Sequence, residues 1–415
     1  MTRRLLVSAT IVLAAVAVGC SSAPTRSSSA TSPDGTTPVT TPPAPAATGE
    51  SSFTPITAQV LAAPIPVPTT DGRIHLAYEL VLTNAVSQNI TITSIEARGG
   101  GRTLDDLSGA GLPGRMRVFG SSGPTAVFGP GQSGLVWIDA TVPTEADIPD
   151  AIEHVVEISA EKPNPPLLPP TLAETVARTT VNHQEPITID PPLRGDGWLD
   201  GNSCCDVTPH RAAVSPLNGA LWAPERFAID YVQLQPDGKL YTGDKTTFEA
   251  WPFFGASIHA VAPGRVVALV DGRPEQTPGA NPTGLTLDEY GGNYVVQDVG
   301  GGHYAFYAHL QTGSIRVKVG DDLASGDVLG LLGNTGNTDA PHLHFHIMDG
   351  PDPLASNGLP FVFRSFTRTG AIADDAAVNA LVETGGPAPL EPGITSTQEH
   401  DVMPLYRDVM NYAAN

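Results

Sequence analysis

The chain of 415 residues is predicted to be mainly β, with an N-terminal immunoglobulin-like β-sandwich followed by a domain built on an antiparallel β-sheet. Short runs of alternating apolar residues recur through both halves of the chain, and Gly and Pro clusters separate them. No run with helical spacing interrupts the strands predicted between residues 53 and 161. The length is sufficient for two domains with flanking segments.

The first 52 residues carry the signals of export rather than of a folded domain. Arg3 and Arg4 precede an apolar run from Leu5 to Val18, which is the layout of a secretory signal over residues 1–19. Small residues before Cys20 resemble a bacterial lipobox, so we expect a lipid anchor on Cys20 at the outer face of a bacterial cell membrane. An ordinary signal peptide with an incidental cysteine is the alternative. Residues 20–52 are rich in Ser, Thr and Pro, which predicts a disordered tether.

Residues 53–161 are predicted to form the β-sandwich. Alternating apolar residues bounded by turn-forming residues predict its strands. No cluster of titratable residues suggests catalysis there, so the expected role is that of a spacer or a binding module. Residues 162–194 are predicted to be a Pro-rich linker. The predicted strands are His75–Thr83, Ile90–Ile95, Gly134–Val142 and His154–Ala160.

Residues 195–365 are predicted to form the second, largely antiparallel domain. Gly-containing turns join its strands, and its functional groove is expected between loops. Residues 366–415 are polar and rich in Gly and Pro, and we expect them to be a tail with one short amphipathic helix at Met403–Tyr412. The predicted strands are Ile258–Val270, Tyr294–Val299, Tyr304–His309, Ile315–Val319 and His342–Met348.

The formal net charge of −21 excludes nucleic-acid binding, because no basic patch accompanies it. Cys204 and Cys205 are adjacent. Neighbouring Cα atoms lie about 3.8 Å apart across a trans peptide, below the usual range for a disulfide, so we expect no structural disulfide between them. A redox-active pair and a contribution to metal binding remain open alternatives.

Histidines occupy every second position at His342, His344 and His346. In a β-strand all three imidazoles project from one face, while Leu343 and Phe345 face the core. Imidazole is a common metal ligand and also carries protons near pH 7. This strand could therefore bind a metal and perform acid–base chemistry, and a solvated strand that happens to carry histidines is the alternative.

Several motifs, in order along the chain, resemble those of one known family. Gly333–Gly336 with Pro341–Ile347 resembles the G-x-T-G…P-H-L-H-F signature of lysostaphin/LytM-type zinc metallopeptidases, which cleave peptide cross-links in peptidoglycan. Tyr307–Leu310 is similar to the family's Y-x-H-L element, and Arg226–Asp230 stands where the family has H-x-G-x-D. Segments 254–261 and 292–296 also match. The resemblance covers roughly residues 195–365 and implies a metallopeptidase-type β-sheet domain.

The resemblance implies a role for each matching residue. Asp230 and His344 occupy the positions of two zinc ligands, and His342 and His309 correspond to the general base and its partner. Arg226 replaces the third ligand. A guanidinium about 4 Å from a divalent ion would be repelled by roughly 8 kcal/mol at an effective dielectric constant of about 20. Arg226 is therefore expected to point away, or the metal is absent and Arg226 pairs with Asp230.

His210 is a candidate for the missing zinc ligand. It follows Pro209 just upstream of Arg226 and could fold back toward Asp230; the alternative is a surface histidine in a loop. His346 could be another donor. Two residues along a strand span about 6.6 Å, which disfavours its sharing an ion with His342.

The predicted function is zinc-dependent hydrolysis of peptide bonds in peptidoglycan by a lipid-anchored protein of the cell envelope. The competing hypothesis is a catalytically inactive homologue that binds cell-wall peptide or regulates a partner cell-wall hydrolase. A purely structural envelope lipoprotein is a third possibility.

Overall fold

The computed structural model describes residues 51–414. The predicted signal peptide, the lipidation site Cys20 and most of the tether lie outside the described residues. Residues from Phe53 onward form one compact unit, so the predicted sandwich and second domain pack against each other. Within residues 51–414 no helix is long and apolar enough to cross a membrane.

The N-terminal part consists of two antiparallel sheets that enclose one hydrophobic core. The first sheet has the order β1-β3-β8-β6, with β2 on β3, and the second has the order β10-β9-β4-β5, with β7 on β4. The elements are β1 Ile56–Val60, β2 Val67–Pro68, β3 Ile74–Asn84, β4 Ile90–Gly99, β5 Arg102–Ser108, β6 Met116–Val118, β7 Val127–Phe128, β8 Ser133–Val142, β9 Ala151–Ala160 and β10 Thr171–Thr180, with 3-10 helices at Gly109–Arg115 and Glu145–Asp147.

The four strands predicted in this part are confirmed as β3, β4, β8 and β9. Alternate residues of each strand face the core, as the period of two requires. The predicted linker begins too early, because β10 lies within residues 162–194 and pairs with β9 along its length. The two sheets have the layered form of a sandwich, and the immunoglobulin-like character of that sandwich stays a prediction.

Strand β3 is buried on both faces, which shows where the two parts meet. Leu76, Tyr78 and Leu80 lie in the sandwich core, whereas Ala77 belongs to the core of the second part. Glu79, which lies between Tyr78 and Leu80 on the same strand, is fully buried. A strand covered on both sides needs a partner for every polar group that it carries.

Two arginines of the second part supply that partner. Nε of Arg226 donates to Oε2 of Glu79 at 2.7 Å, and Nη2 of Arg226 also contacts Oε2. Nη2 of Arg211 lies 3.6 Å from Oε1 of Glu79 and donates to the carbonyls of Tyr78 and Ile138 at 3.2 and 3.1 Å. The Glu79–Arg211–Arg226 cluster is thus a buried ion network between the two parts.

The second part is organised around one long antiparallel sheet. Its strand order is β20-β17-β18-β19-β22-β15-β12-β27-β25-β26, with β23 on β22. The strands are β11 Ile187–Ile189, β12 Gly195–Gly201, β13 Ser215–Leu217, β14 Ala220–Trp222, β15 Ile229–Gln233, β16 Ser257–His259, β17 Gly264–Val270, β18 Tyr294–Gly300, β19 His303–Ala308, β20 Asp322–Leu323, β21 Val328–Leu331, β22 Leu343–Met348, β23 Gly358–Leu359, β24 Phe361–Phe363, β25 Phe366–Ala371, β26 Thr397–Glu399 and β27 Asp408–Tyr412. The helices are α1 Pro209–Ala212 and α2 Asp375–Thr384, with 3-10 helices at Phe248–Ala250 and Leu287–Glu289.

The prediction for residues 366–415 is wrong. The predicted helix at Met403–Tyr412 is replaced by β27, which is inserted between β12 and β25 because pairing on both sides satisfies its backbone. The helix lies earlier, at α2, where the side chain of Asp374 accepts a hydrogen bond from the Ala377 amide. Residues 366–412 therefore complete the sheet rather than forming a tail.

Two strand predictions upstream of the histidine strand also need correction. No strand forms at Ile315–Val319, and the strand predicted at Ile258–Val270 is split into β16 and β17. Pro263 lies in the interruption, and proline cannot donate to a sheet. The loop after β19 instead packs apolar side chains, including those of Ile315 and Val317, on the core.

The expectation of no disulfide at the adjacent cysteines is also wrong. Cys204 and Cys205 are joined by a disulfide. The prediction assumed a trans peptide, whereas the peptide between them is cis and their Cα atoms lie 3.0 Å apart. Both residues are buried in the loop between β12 and α1.

We predict that Glu79→Ala lowers the free energy of unfolding by about 3–5 kcal/mol, because it leaves two arginines buried without a counter-charge. Glu96→Ala is the matched control: Glu96 pairs with Arg98 on the exposed surface of β4, and its loss should cost less than about 1 kcal/mol. Denaturant unfolding of both variants measures the difference. Equal small losses would contradict a structural role for the buried network.

The sandwich core should also make the protein less stable in acid. Tyr78 donates to Nε2 of His154 at 2.6 Å, and His154 Nδ1 donates to the Ala177 carbonyl. Burial lowers the pKa of His154 to about 4 from 6.5. The unfolded chain therefore takes up a proton between pH 6.5 and 4 that the folded chain excludes, so this contribution is complete above pH 6.5 and is lost as the pH falls.

The expected size of this loss is about 3 kcal/mol, at 1.36 kcal/mol for each pKa unit. Denaturant unfolding at pH 7 and pH 4 should show that much less acid sensitivity in His154→Gln than in the parent. His183→Gln is the control, because the side chain of His183 is half exposed. An unchanged acid sensitivity in His154→Gln would refute the assignment.

Candidate metal centre

Two central strands of the long sheet place a carboxylate opposite a histidine. β15 and β22 pair antiparallel with Asp230 in register with His344. β22 alternates as predicted: Leu343 and Phe345 lie in the main core, so His344 and His346 project from the opposite face. The prediction that the histidine motif forms a strand is confirmed.

His210 approaches Asp230 from outside the sheet, on the short helix α1. Thr208 caps this helix by accepting a hydrogen bond from the Arg211 amide. Nδ1 of His210 donates to the Ala228 carbonyl at 3.1 Å, which leaves Nε2 at 3.0 Å from Oδ2 of Asp230. His210 is buried, so the alternative of a surface histidine in a loop is wrong.

The carboxylate of Asp230 is the centre of the cluster. Its Oδ1 lies 3.0 Å from Nδ1 of His344 and 3.3 Å from Nε2 of His342. Its Oδ2 faces His210 and accepts a hydrogen bond from Nδ2 of Asn202 at 2.9 Å. Burial raises the pKa of Asp230, but His210 and His342 outweigh burial and hold that pKa well below its ordinary value. Burial lowers the pKa of His210, but Asp230 outweighs it and raises this pKa to about 9.

His309 and His342 form a second pair beside the carboxylate, with ring centroids 4.6 Å apart. Nδ1 of His309 donates to the Thr335 carbonyl at 2.7 Å, and Nδ1 of His342 donates to the Ala340 carbonyl at 2.9 Å. Nε2 is therefore the nitrogen that each ring can offer to a reacting group. Burial and the neighbouring histidines hold the pKa of His309 well below its ordinary value, so its imidazole is neutral.

Arg226 points away from the cluster, as one of the two expectations had it. Its buried guanidinium pairs with Glu79 on β3. The other expectation, an ion pair between Arg226 and Asp230, is wrong, because the sandwich supplies the counter-charge. The repulsion that would exclude a cation is thereby removed from the centre.

Three contacts at the site escaped sequence reasoning: the Asn202 hydrogen bond, the Thr335 carbonyl, and the sandwich carboxylate Glu79. Glu79 had a sequence signal, because it is a lone acid in the otherwise apolar run from Leu76 to Leu82. His346 also has a different role from the one considered. Its Nδ1 lies 2.9 Å from Nε2 of His344, whose other ring nitrogen faces Asp230, so His346 contacts a candidate ligand on the side away from the carboxylate.

The donor atoms fit a zinc ion. One ligand atom each from His210, Asp230 and His344 lies within 4.8 Å of the others. Catalytic zinc sites use three protein ligands of this kind, two imidazoles and a carboxylate among them, and keep a fourth position open. His210 belongs to α1, Asp230 to β15 and His344 to β22, so the fold brings together one donor from each of three separate elements.

Comparison with known proteins gives one family. Residues 250–356 match the sequence profile of Peptidase family M23. The matched range contains His309, His342 and His344, whereas His210, Arg226 and Asp230 lie before it.

The chain is also similar to individual peptidases from other organisms. It is 38% identical over 91 residues to the peptidoglycan DD-endopeptidase ShyA of Vibrio cholerae, covering 21% of each chain. It is 30% identical over 110 residues to the glycyl-glycine endopeptidase ALE-1 of Staphylococcus capitis, covering 26% of each chain. The chain thus spans about a fifth to a quarter of the length of these relatives. The solved catalytic domain of lysostaphin from Staphylococcus simulans is 20% identical with a TM-score of 0.21, covering 40% of this chain and 88% of that one.

Gly292 should be indispensable for the loop that orients His309. At Gly292 φ is +61°, and a Cβ there would lie 2.2 Å from the Thr335 carbonyl oxygen that binds His309. Gly292→Ala is therefore expected to cost about 2–4 kcal/mol of unfolding free energy, from positive φ and overpacking together. Gly300→Ala is the control: its φ is +85° but nothing lies within 4 Å of the added Cβ, so only about 1–2 kcal/mol should be lost. Equal losses in denaturant unfolding would contradict the close approach.

Proposed function

We propose that this chain, whose residues 250–356 match the profile of Peptidase family M23, is a zinc-dependent peptidase that hydrolyses peptide bonds of peptidoglycan. The observation that carries the proposal is the convergence of His210, Asp230 and His344 beside the pair His309 and His342. The substrate class is inferred from the activities of the similar proteins, a peptidoglycan DD-endopeptidase and a glycyl-glycine endopeptidase.

His210, Asp230 and His344 are the proposed zinc ligands. When bound, zinc polarises a peptide carbonyl and lowers the pKa of water to about 7. Asp230 offers the negative charge, and its two oxygens already face nitrogens of both imidazoles. The hydrogen bond from His210 Nδ1 to the Ala228 carbonyl fixes the ring so that Nε2 is the ligand atom.

His309 and His342 are the proposed proton-handling residues. The carbonyls of Thr335 and Ala340 hold both rings by Nδ1. Nε2 of His309 is left for the attacking water and the leaving amine, and Nε2 of His342 lies 3.3 Å from Oδ1 of Asp230. His309 is buried and neutral, which suits acceptance of a proton. His342 beside it can donate a hydrogen bond to the developing oxyanion.

We also propose that the chain works outside the cytoplasm, held at the membrane by lipid on Cys20. A tether of 20–52 would let the folded part reach the cell wall. Metabolic labelling with a clickable fatty acid tests this: the parent chain should be labelled and Cys20→Ala should not. Equal labelling would refute the anchor at Cys20.

The test of the site separates metal binding from chemistry. The purified chain should bind about one zinc ion and cleave muropeptides. His210→Ala should lower zinc affinity at least about 100-fold, because one of three ligands is lost. His309→Ala should retain zinc and lose about 10²–10⁴-fold in kcat, because only proton transfer is removed. His183→Ala, a half-exposed histidine of the sandwich, should change neither property.

Each failure has a distinct meaning. Zinc retained by His210→Ala would refute His210 as a ligand. A parent chain that binds muropeptides in a pull-down but holds no zinc and cuts nothing would establish the inactive, regulatory homologue instead. Absence of muropeptide affinity as well would leave a structural role.

A further inference from the structure

A second cluster of metal-ligand side chains lies away from the proposed catalytic centre, where the sandwich meets the loop before α1. His75 on β3, Asp139 on β8 and Cys205 each offer one ligand atom within 4.8 Å of the others. His75 and Asp139 pair across neighbouring strands of the sandwich, and Cys205 reaches them from the second part of the chain. An imidazole, a carboxylate and a sulfur thus converge from three separate segments.

The imidazole is already oriented as a metal-binding histidine would be. Nδ1 of His75 lies 2.9 and 3.1 Å from the two oxygens of Asp139, and its Nε2 lies 3.2 Å from Oδ2 of Asp71. Asp71 is itself fixed by hydrogen bonds from the Thr69 hydroxyl at 2.7 Å and the Arg73 amide at 2.9 Å. A carboxylate on the far ring nitrogen is the usual support of a histidine ligand.

Cys205 is the one member of this cluster that cannot bind a metal ion while it is oxidised. In the disulfide with Cys204, Cys205 has no thiolate, and thiolate is the form of cysteine that binds metals. We propose that reduction of the Cys204–Cys205 disulfide creates a metal site formed by His75, Asp139 and Cys205, for a borderline or soft divalent ion such as Zn²⁺.

The chemistry balances with a dithiol as reductant. The dithiol transfers two electrons and two protons, the Cys204–Cys205 bond breaks to give two thiols, and the dithiol closes to its own disulfide. The ion then displaces the thiol proton of Cys205 and the proton shared by His75 and Asp139, and both go to solvent. A nitrogen, an oxygen and a sulfur at tetrahedral bond lengths would be separated by about 3.3–3.6 Å, so the cluster needs only a small contraction.

Charge and access favour the same conclusion. A Cys205 thiolate beside Asp139 and Asp71 would gather negative charge in a buried place, because Cys205 is only 5% exposed, so a divalent cation would supply the compensating positive charge. An open cleft of about 520 Å³ is lined by Asp206 and Val207, so solvent reaches the residues that follow Cys205. This site shares no ligand with the proposed catalytic centre and would exist whether or not the chain is a peptidase.

Cobalt titration of the full chain tests the proposal, because Co²⁺ bound to thiolate gives a charge-transfer absorption that a site of imidazole and carboxylate ligands lacks. The chain is reduced with dithiothreitol, which is then removed anaerobically. Reduced protein should bind one more Co²⁺ than oxidised protein, and the thiolate band should appear in the reduced form alone. Equal stoichiometry with no thiolate band in either form would overturn the proposal.

Two pairs of variants sharpen the result. Cys204→Ser frees the Cys205 thiol permanently, so it should show the band without any reductant, whereas Cys205→Ser should not show it under any condition. In the reduced chain His75→Gln and Asp139→Asn should each weaken Co²⁺ binding at this site at least tenfold, while Asp150→Asn, a fully exposed acid beside β9, should not. A full-strength band in Cys205→Ser, or in His75→Gln whose circular dichroism matches the parent, would also overturn the assignment.

Discussion

The pairing of β15 with β22 is the constraint on which the proposed catalytic centre depends. It sets Asp230 opposite His344, and it does so in the interior of a long sheet where the register is fixed by buried neighbours on the other face. A slip of one residue would turn every side chain of β22 to the opposite face, so that Leu343 and Phe345 would meet the carboxylate in place of the histidines. Helix α1 places His210, and the loop that carries Thr335 orients His309, relative to the positions that this pairing gives Asp230 and His344.

The sandwich also contributes to the arrangement of the proposed catalytic centre, because its Glu79 binds Arg226. An arginine that pointed from position 226 toward Asp230 would bring a fixed positive charge to the proposed metal centre. Here the charge is taken up by Glu79, a residue of another sheet about 150 positions earlier in the chain. The same contact region holds Arg211, next to the proposed ligand His210, by carbonyls of β3 and β8. The docking of the first part on the second therefore turns Arg226 away from the proposed metal centre and holds the residue that follows the proposed ligand His210.

Sequence reasoning was strongest where chemistry and periodicity coincide. The histidine strand, the position of Asp230 and the outward turn of Arg226 follow from alternation, family motifs and electrostatic repulsion. The contact of His210 with Asp230 is only one of two alternatives at the level of the sequence. The loop that brings these residues together spans about twenty positions and has no repeating pattern that would predict its path. The counter-charge Glu79 and the hydrogen bond from Asn202 were not foreseen, because each depends on a long-range contact. The strand β27 was mistaken for a helix because its local pattern is ambiguous, and pairing on both sides decided its conformation. The disulfide was missed because the peptide geometry was assumed.

The placement of β27 has a consequence for how the protein is made. On a ribosome β12 emerges roughly 210 residues before the strand that covers one of its edges, as the register between Leu199 and Val409 implies. Throughout that interval the strand that carries the core residues Trp198 and Leu199 has an open hydrogen-bonding edge in the nascent chain. The edge of β12 that β27 covers therefore stays open while about 210 further residues are synthesised, and the sheet is complete only after that long-range pairing forms.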